Sequence, residues 1–147
     1  LNECEVVELS DGRLMLNMRN HGSAGRDRGV AFSSDGGKTW TGIYRDKQLP
    51  EPRCQASIRR HSFPTKDAKG LIVFSNPANQ GGRSKMTLRG SEDDGKTWKY
   101  SKLIHAGSSA YSDLTILPDG RIALLFERDG YGKISLVIVT PEWLKSK

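Results

Sequence analysis

The sequence predicts an all-β fold built from a repeated antiparallel unit. Two short segments, Ser33-Ser34-Asp35-Gly36-Gly37-Lys38-Thr39-Trp40 and Ser91-Glu92-Asp93-Asp94-Gly95-Lys96-Thr97-Trp98, share the pattern S-x-D-x-G-x-T-W. Each asks for a tight turn: the Asp accepts backbone N–H groups, the Gly supplies a positive φ, and Thr-Trp opens the next strand with a large ring. Around them, apolar runs of strand length alternate with turn dipeptides along the whole chain. A turn repeated between strands implies a repeated unit.

In order, strands are expected at Val6 to Leu9 and Arg13 to Met18, joined by Asp11-Gly12, a hairpin signal. Further strands follow at Gly29 to Ser33, Trp40 to Arg45, Gln55 to Arg60, Leu71 to Ser75, Met86 to Gly90 and Trp98 to Leu103. A second hairpin has Asp113 to Leu117 and Arg121 to Phe126 flanking Pro118-Asp119-Gly120, and Lys133 to Val139 closes the series. Thr140-Pro141 then offers an N-cap with Pro at the first helical position, so a short helix is expected over 141–145. The coarse units are 1–49, 50–108 and 109–140, with Pro50 and Pro52 at the first seam.

The 147 residues carry a net charge of +6, but the basic residues are scattered and the longest cluster is Arg59-Arg60-His61. With no basic run, helix face or recognised module, nucleic acid is not an expected partner. A positive field suits an anionic small substrate or glycan equally well. No apolar run approaches the ~20 residues of a membrane span. Asp93-Asp94-Gly95 fails as an EF-hand loop, which needs Glu six residues beyond its Gly, where Ser101 stands. His21, His61 and His105 lack a metal-ligand spacing, and no metal or cofactor is expected. Cys4 and Cys54 are expected as free, buried thiols, a bridged pair being the alternative. Leu1 enters what reads as the approach to a strand, so the start is expected to be a cut rather than a native terminus.

The repeated turn is similar to the Asp box of β-propellers, and the chain resembles the C-terminal half of a sialidase (exo-α-neuraminidase). The resemblance implies about three blades of a six-bladed propeller, with the N-terminal half of the ring as the missing partner and sialylated glycans as substrates. Asn2-Glu3-Cys4 followed by Leu16-Asn17-Met18-Arg19 is similar to the segment carrying the family's catalytic Glu and its second carboxylate-binding arginine. A hairpin returns on itself, so Glu3 and Arg19 belong at one end of one blade. The resemblance assigns the third clamp arginine to Arg83, leaving Arg89 as a solvated strand residue. Gly107 to Leu114 resembles the segment bearing the nucleophile, which falls on Tyr111. Glu127, in Leu125-Phe126-Glu127, matches the Glu that orients the first clamp arginine, although Phe126 departs from the usual Tyr. Gln55, in Arg53 to Ser57, matches a polar residue near the substrate's glycerol tail.

The chemistry explains so unusual a nucleophile. Sialic acid carries a carboxylate at its anomeric carbon, which would repel an approaching Asp or Glu, whereas a phenol approaches neutral and needs a base to take its proton. Three guanidinium forks can grip one carboxylate in a way that lysines cannot. The acid/base Asp and the first clamp arginine are expected in the absent half, so the chain alone is expected to be inactive. Two readings compete: a non-catalytic Asp-box propeller used for glycan binding or assembly, which Glu3 with Tyr111 argues against, and a trans-sialidase sharing the same nucleophile pair.

Overall fold

A computed structural model describes residues 2–22 and 25–147; Leu1, which opens the first expected unit, lies outside them. The first sheet holds β1 (Asn2–Glu8), β2 (Leu14–Arg19), β3 (Asp27–Ser33) and β4 (Tyr44–Pro50) in sequence order, all antiparallel. A second sheet continues through β5 (Ser57–Ser62), β6 (Leu71–Pro77), β7 (Ser84–Ser91) and the long β8 (Tyr100–Ile116), then β9 (Ile122–Arg128) and β10 (Lys133–Val139). The helix α1 (Pro141–Lys145) ends the described chain, its Thr140 hydroxyl capping the N–H of Trp143 as the sequence predicts.

β8 differs from expectation. Residues 100–116 form one 17-residue strand, not two strands separated by a loop. It pairs with β7 as far as Ser108 and with β9 from Ser109 onward, passing from one blade to the next. Trp40 to Arg45 is also corrected. Trp40 stays in the turn, its indole donating to the Gly37 carbonyl at 3.1 Å, and β4 begins only at Tyr44.

The apolar strand β6 shows how the blades stack. Its residues alternate between two cores, as the period of a strand requires. Ile72 and Phe74 join Val7, Met15, Val30 and Leu49 of the first sheet, while Leu71 and Val73 join Leu114, Ile122 and Leu124 on the other side. Both faces are therefore buried, and each such side chain contributes about 1.5–3 kcal/mol of burial. On β10 only one face is packed: Val137 and Val139 meet the core, whereas Ile134, Leu136 and Ile138 are exposed.

The two Asp boxes fold alike. Asp35 accepts from the Thr39 N–H at 2.9 Å and hydroxyl at 2.6 Å, and Asp93 from those of Thr97 at 2.8 and 2.7 Å. Ser33 and Ser91 each donate to their Asp at 2.8 Å and accept from Gly37 and Gly95, both at positive φ. A Cβ on Gly95 would also meet the Met15 side chain at 3.0 Å. The two tryptophans nevertheless differ. Trp98 is buried against the preceding sheet, with its ring 5.5 Å from Phe74 and its indole donating to Asp46, while Trp40 turns to its own loop and is exposed.

β1, β5 and the second half of β8 run side by side, one from each of the units expected from the sequence. Glu5 accepts from the hydroxyl of Ser57 and the N–H of Ile58, and Ser57 in turn accepts from the N–H of Leu114 at 3.1 Å. The Asp boxes join β3 to β4 and β7 to β8, whereas β1, β5 and β7 start at the opposite end of the blades. That end is where the polar residues singled out in the sequence collect.

Beneath it lies a buried ionic layer. Arg28 and Glu51 are both 0 % exposed and paired at 2.6 Å; Arg28 also donates to the Asn17 side chain and the Cys54 carbonyl. Glu51 accepts the Asn20 N–H, so the pair ties the end of β2 to the crossover at 51–55. Arg89 is corrected as well: it is buried, donates to Asn76 at 3.0 Å, and burial lowers its pKa to about 10. Both cysteines are free as expected, but Cys4 is exposed and only Cys54 is buried, because Cys4 alternates outward from Val7 on β1.

Candidate active site

Glu3 and Tyr111 are 108 residues apart in the chain and share a hydrogen bond: the Tyr111 hydroxyl donates to Glu3 Oε1 at 2.6 Å. Each residue sits where strand register breaks. The β1–β2 pairing shifts between Asn2 and Cys4, with Glu3 at φ +42°, and the β8–β9 pairing shifts between Ser109 and Ser112. A bulge re-aims the side chain it carries, and a non-glycine residue held in the left-handed region marks a position the surrounding structure constrains.

Arg19, at the end of β2 and 8 % exposed, donates through Nη1 both to Glu3 Oε2 and, at 3.3 Å, to the Tyr111 hydroxyl. Burial pushes the Glu3 carboxyl up, but the hydrogen bonds from Tyr111 and Arg19 outweigh it and hold the group below the usual carboxylate range. The Glu3 hydrogen bond raises the Tyr111 phenol, with burial adding to the effect. At neutral pH the pair is thus a carboxylate facing a phenol, a base already in contact with the proton it would take.

Arg83, in the loop before β7, places its guanidinium carbon 5.7 Å from the Tyr111 ring centroid. It donates to the Tyr131 hydroxyl at 2.8 Å and to the Arg53 carbonyl at 3.4 Å. Glu3, Arg19, Arg83 and Tyr111 are therefore brought together. Glu127 is adjacent, accepting the backbone N–H of Tyr111 at 3.1 Å. Gln55 makes no side-chain hydrogen bond to Glu3, Arg19 or Arg83 among the described residues. Its side-chain amide pairs both ways with the Ser112 backbone at 2.9 Å, splicing the start of β5 to the residue after Tyr111. A cleft of about 320 Å³ opens beside Tyr111, with Gln55 and Glu127 in its walls. Among the described residues no group of three or more His, Cys, Asp or Glu side chains could hold a metal ion.

Sequence reasoning missed Tyr131, whose contact with Arg83 spans two blades, and the Arg28–Glu51 pair. Arg28 stands at the start of β3 between Asp27 and Gly29, just before the apolar residues, and its sequence position carries no signal of burial.

The family model for the BNR repeat-like domain matches residues 1–124. A sialidase of Micromonospora viridifaciens is 46 % identical over 131 residues, which are 86 % of this chain and 20 % of that protein. One from Bacteroides fragilis is 39 % identical over 132 residues, covering 85 % and 24 %. Among solved structures, the Hadza microbial sialidase Hz136 superposes with a TM-score of 0.83 at 34 % identity, over 97 % of this chain and 28 % of that one. The NanB sialidase of Streptococcus pneumoniae gives 0.81 at 26 % identity, over 97 % and 24 %. The chain thus spans about a fifth to a quarter of the length of these curated relatives. Its matching Asp boxes and stacked sheets are those of a partial propeller, and the chain belongs to the BNR-repeat sialidase family.

Proposed function

We propose that this chain supplies the nucleophile, its base and two carboxylate-binding arginines of a retaining exo-sialidase that releases terminal sialic acid from glycoconjugates. The observation that carries the reading is the 2.6 Å contact between the Tyr111 hydroxyl and Glu3, with Arg19 bonded to both. Tyr111 Oη attacks the anomeric carbon while its proton passes to Glu3, and the bond to the leaving oxygen breaks as that oxygen takes a proton from an acid. Water then attacks the same carbon, giving its proton to the acid that had protonated the leaving oxygen, and Tyr111 departs and recovers its own from Glu3. Two displacements retain the configuration.

Arg19 and Arg83 hold the substrate carboxylate. Glu127 and Gln55 fix the backbone on either side of the Tyr111 ring, and Gln55 keeps one N–H for a substrate hydroxyl. The acid and a further clamp arginine come from the rest of the propeller, so the 147 residues alone turn over negligibly. A purely glycan-binding module would have no use for a phenol hydrogen-bonded to a carboxylate in this way.

The test is a mechanism-based fluorinated sialic-acid probe on the full-length protein, followed by peptide mapping. Labelling at Tyr111 is expected, with Tyr111→Phe losing label and turnover while still binding substrate. Stable labelling of any other residue would overturn the assignment.

A further inference from the structure

Tyr131 lies at the tip of the β9–β10 hairpin, 59 % exposed, with φ +72°. It follows Asp129 at φ +55° and Gly130 at φ +63°, so three consecutive residues are left-handed. For a bulky side chain that conformation is an outlier, and glycine would adopt it without strain. The tip is held from outside: the Asp129 and Gly130 N–H groups donate to the Ser108 carbonyl and hydroxyl, each at 3.2 Å. An exposed aromatic in a strained position gains little from burial. What it does make is the 2.8 Å hydrogen bond accepted from Arg83 Nη1.

Arg83 has no carboxylate within ion-pair distance among the described residues, in contrast to Arg19, which is bonded to Glu3. Its fixed contacts are the Tyr131 hydroxyl and the Arg53 carbonyl. Both are neutral acceptors. A guanidinium has five N–H donors, so a neutral hook on one of them leaves the charge uncompensated and several donors open. An Asp or Glu at the hairpin tip would hold the group as firmly but would neutralise it for an incoming anion.

We propose that Tyr131 is a positioning residue that anchors Arg83 beside the Tyr111 ring, keeping its charge available for the substrate carboxylate. This rests on the role given to Arg83 above. In the full-length enzyme Tyr131→Phe should raise KM for a sialoside about five- to tenfold, the equivalent of one lost hydrogen bond, with kcat changed much less. Tyr131→Gly should raise KM as much while increasing thermal stability, because it relieves the left-handed backbone; a merely structural tyrosine would move stability in the opposite direction. In an Arg83→Ala background, Tyr131→Phe should change nothing further.

An unaltered KM, or an equal increase without Arg83, would overturn the proposal. Crystal structures of the full-length wild type and Tyr131→Phe separate this inference from the functional reading. If the wild type hydrolyses no sialoside, the sialidase reading fails. The position of Arg83 still decides the present one: displaced in Tyr131→Phe supports it, unmoved refutes it.

Discussion

Replacing Arg28 by Met should destabilise the protein by about 3–5 kcal/mol, the cost of leaving one member of a buried ion pair without its partner. Arg28 and Glu51 are both inaccessible to solvent, so neither charge can turn outward when the other is lost. The arginine serves three acceptors: Glu51 at 2.6 Å, the Asn17 side chain at 2.7 Å and the Cys54 carbonyl at 2.9 Å. Met fills a similar volume and satisfies none of them. Removing both charges, in Arg28→Met with Glu51→Leu, eliminates the stranded carboxylate but still leaves Asn17 and Cys54 short of a donor and takes away the Glu51 acceptor of the Asn20 N–H. At about 0.5–1 kcal/mol each, the double variant should remain roughly 2–3 kcal/mol below wild type. It should therefore be more stable than the single variant. Urea unfolding with an unchanged slope measures both differences. A single variant costing less than about 1 kcal/mol, or a double variant no better than the single one, would refute the argument that this pair fastens β2 to the crossover at 51–55.

The Glu3 carboxyl is depressed in the folded protein, so it stays ionised into the ordinary carboxylate range, and the base role proposed for it should be lost as pH falls through the lowered value. Arg19→Met removes a hydrogen bond and a positive charge that oppose burial, and the acid limb of kcat/KM should move to higher pH; a limb that stays in place or moves lower counts against the assignment. In the second Asp box, Asp93→Ala removes three hydrogen bonds of 2.7–2.8 Å and should cost about 2–3 kcal/mol by denaturant unfolding. Asp35→Ala, in a box whose tryptophan is exposed, should cost less, and the reverse order would show that the turn and not the Trp98 contact dominates.

What the sequence made legible was local. The Asp boxes, the Asp11-Gly12 hairpin and the capped helix at Thr140 are each specified by residues within a few positions of one another, and each forms as read. The start of β4 was misplaced because Trp40 bonds back to Gly37 and not to a neighbouring strand. The continuity of β8 was hidden because residues 104–112 are mostly half-buried or exposed, with small residues at 106–110. The alternation that each half of the strand shows is interrupted between them, at residues 105–109, so the two halves read as separate strands. Arg89 looked solvated for a related reason. Its acceptor, Asn76, lies on the neighbouring strand, where the pairing of β6 with β7 brings it.

The candidate site residues were named by resemblance, whereas their convergence is a property of the stacking. Glu3, Gln55 and Tyr111 stand two residues before Glu5, Ser57 and Asp113, and this second row is itself joined across the blades. Ser57 donates to Glu5, and Arg59 bridges Glu5 and Asp113. Equivalent positions on successive units must fall side by side when β1, β5 and β8 do. The repeat therefore brings one group from each unit to a common end, and divergence at those positions determines what meets there. A carboxylate from the first unit and a phenol from the third come within 2.6 Å, and the amide from the middle unit bonds the backbone next to the phenol. The turns that enforce the repeat lie at the far end of the blades, which leaves the near end free to differ in sequence.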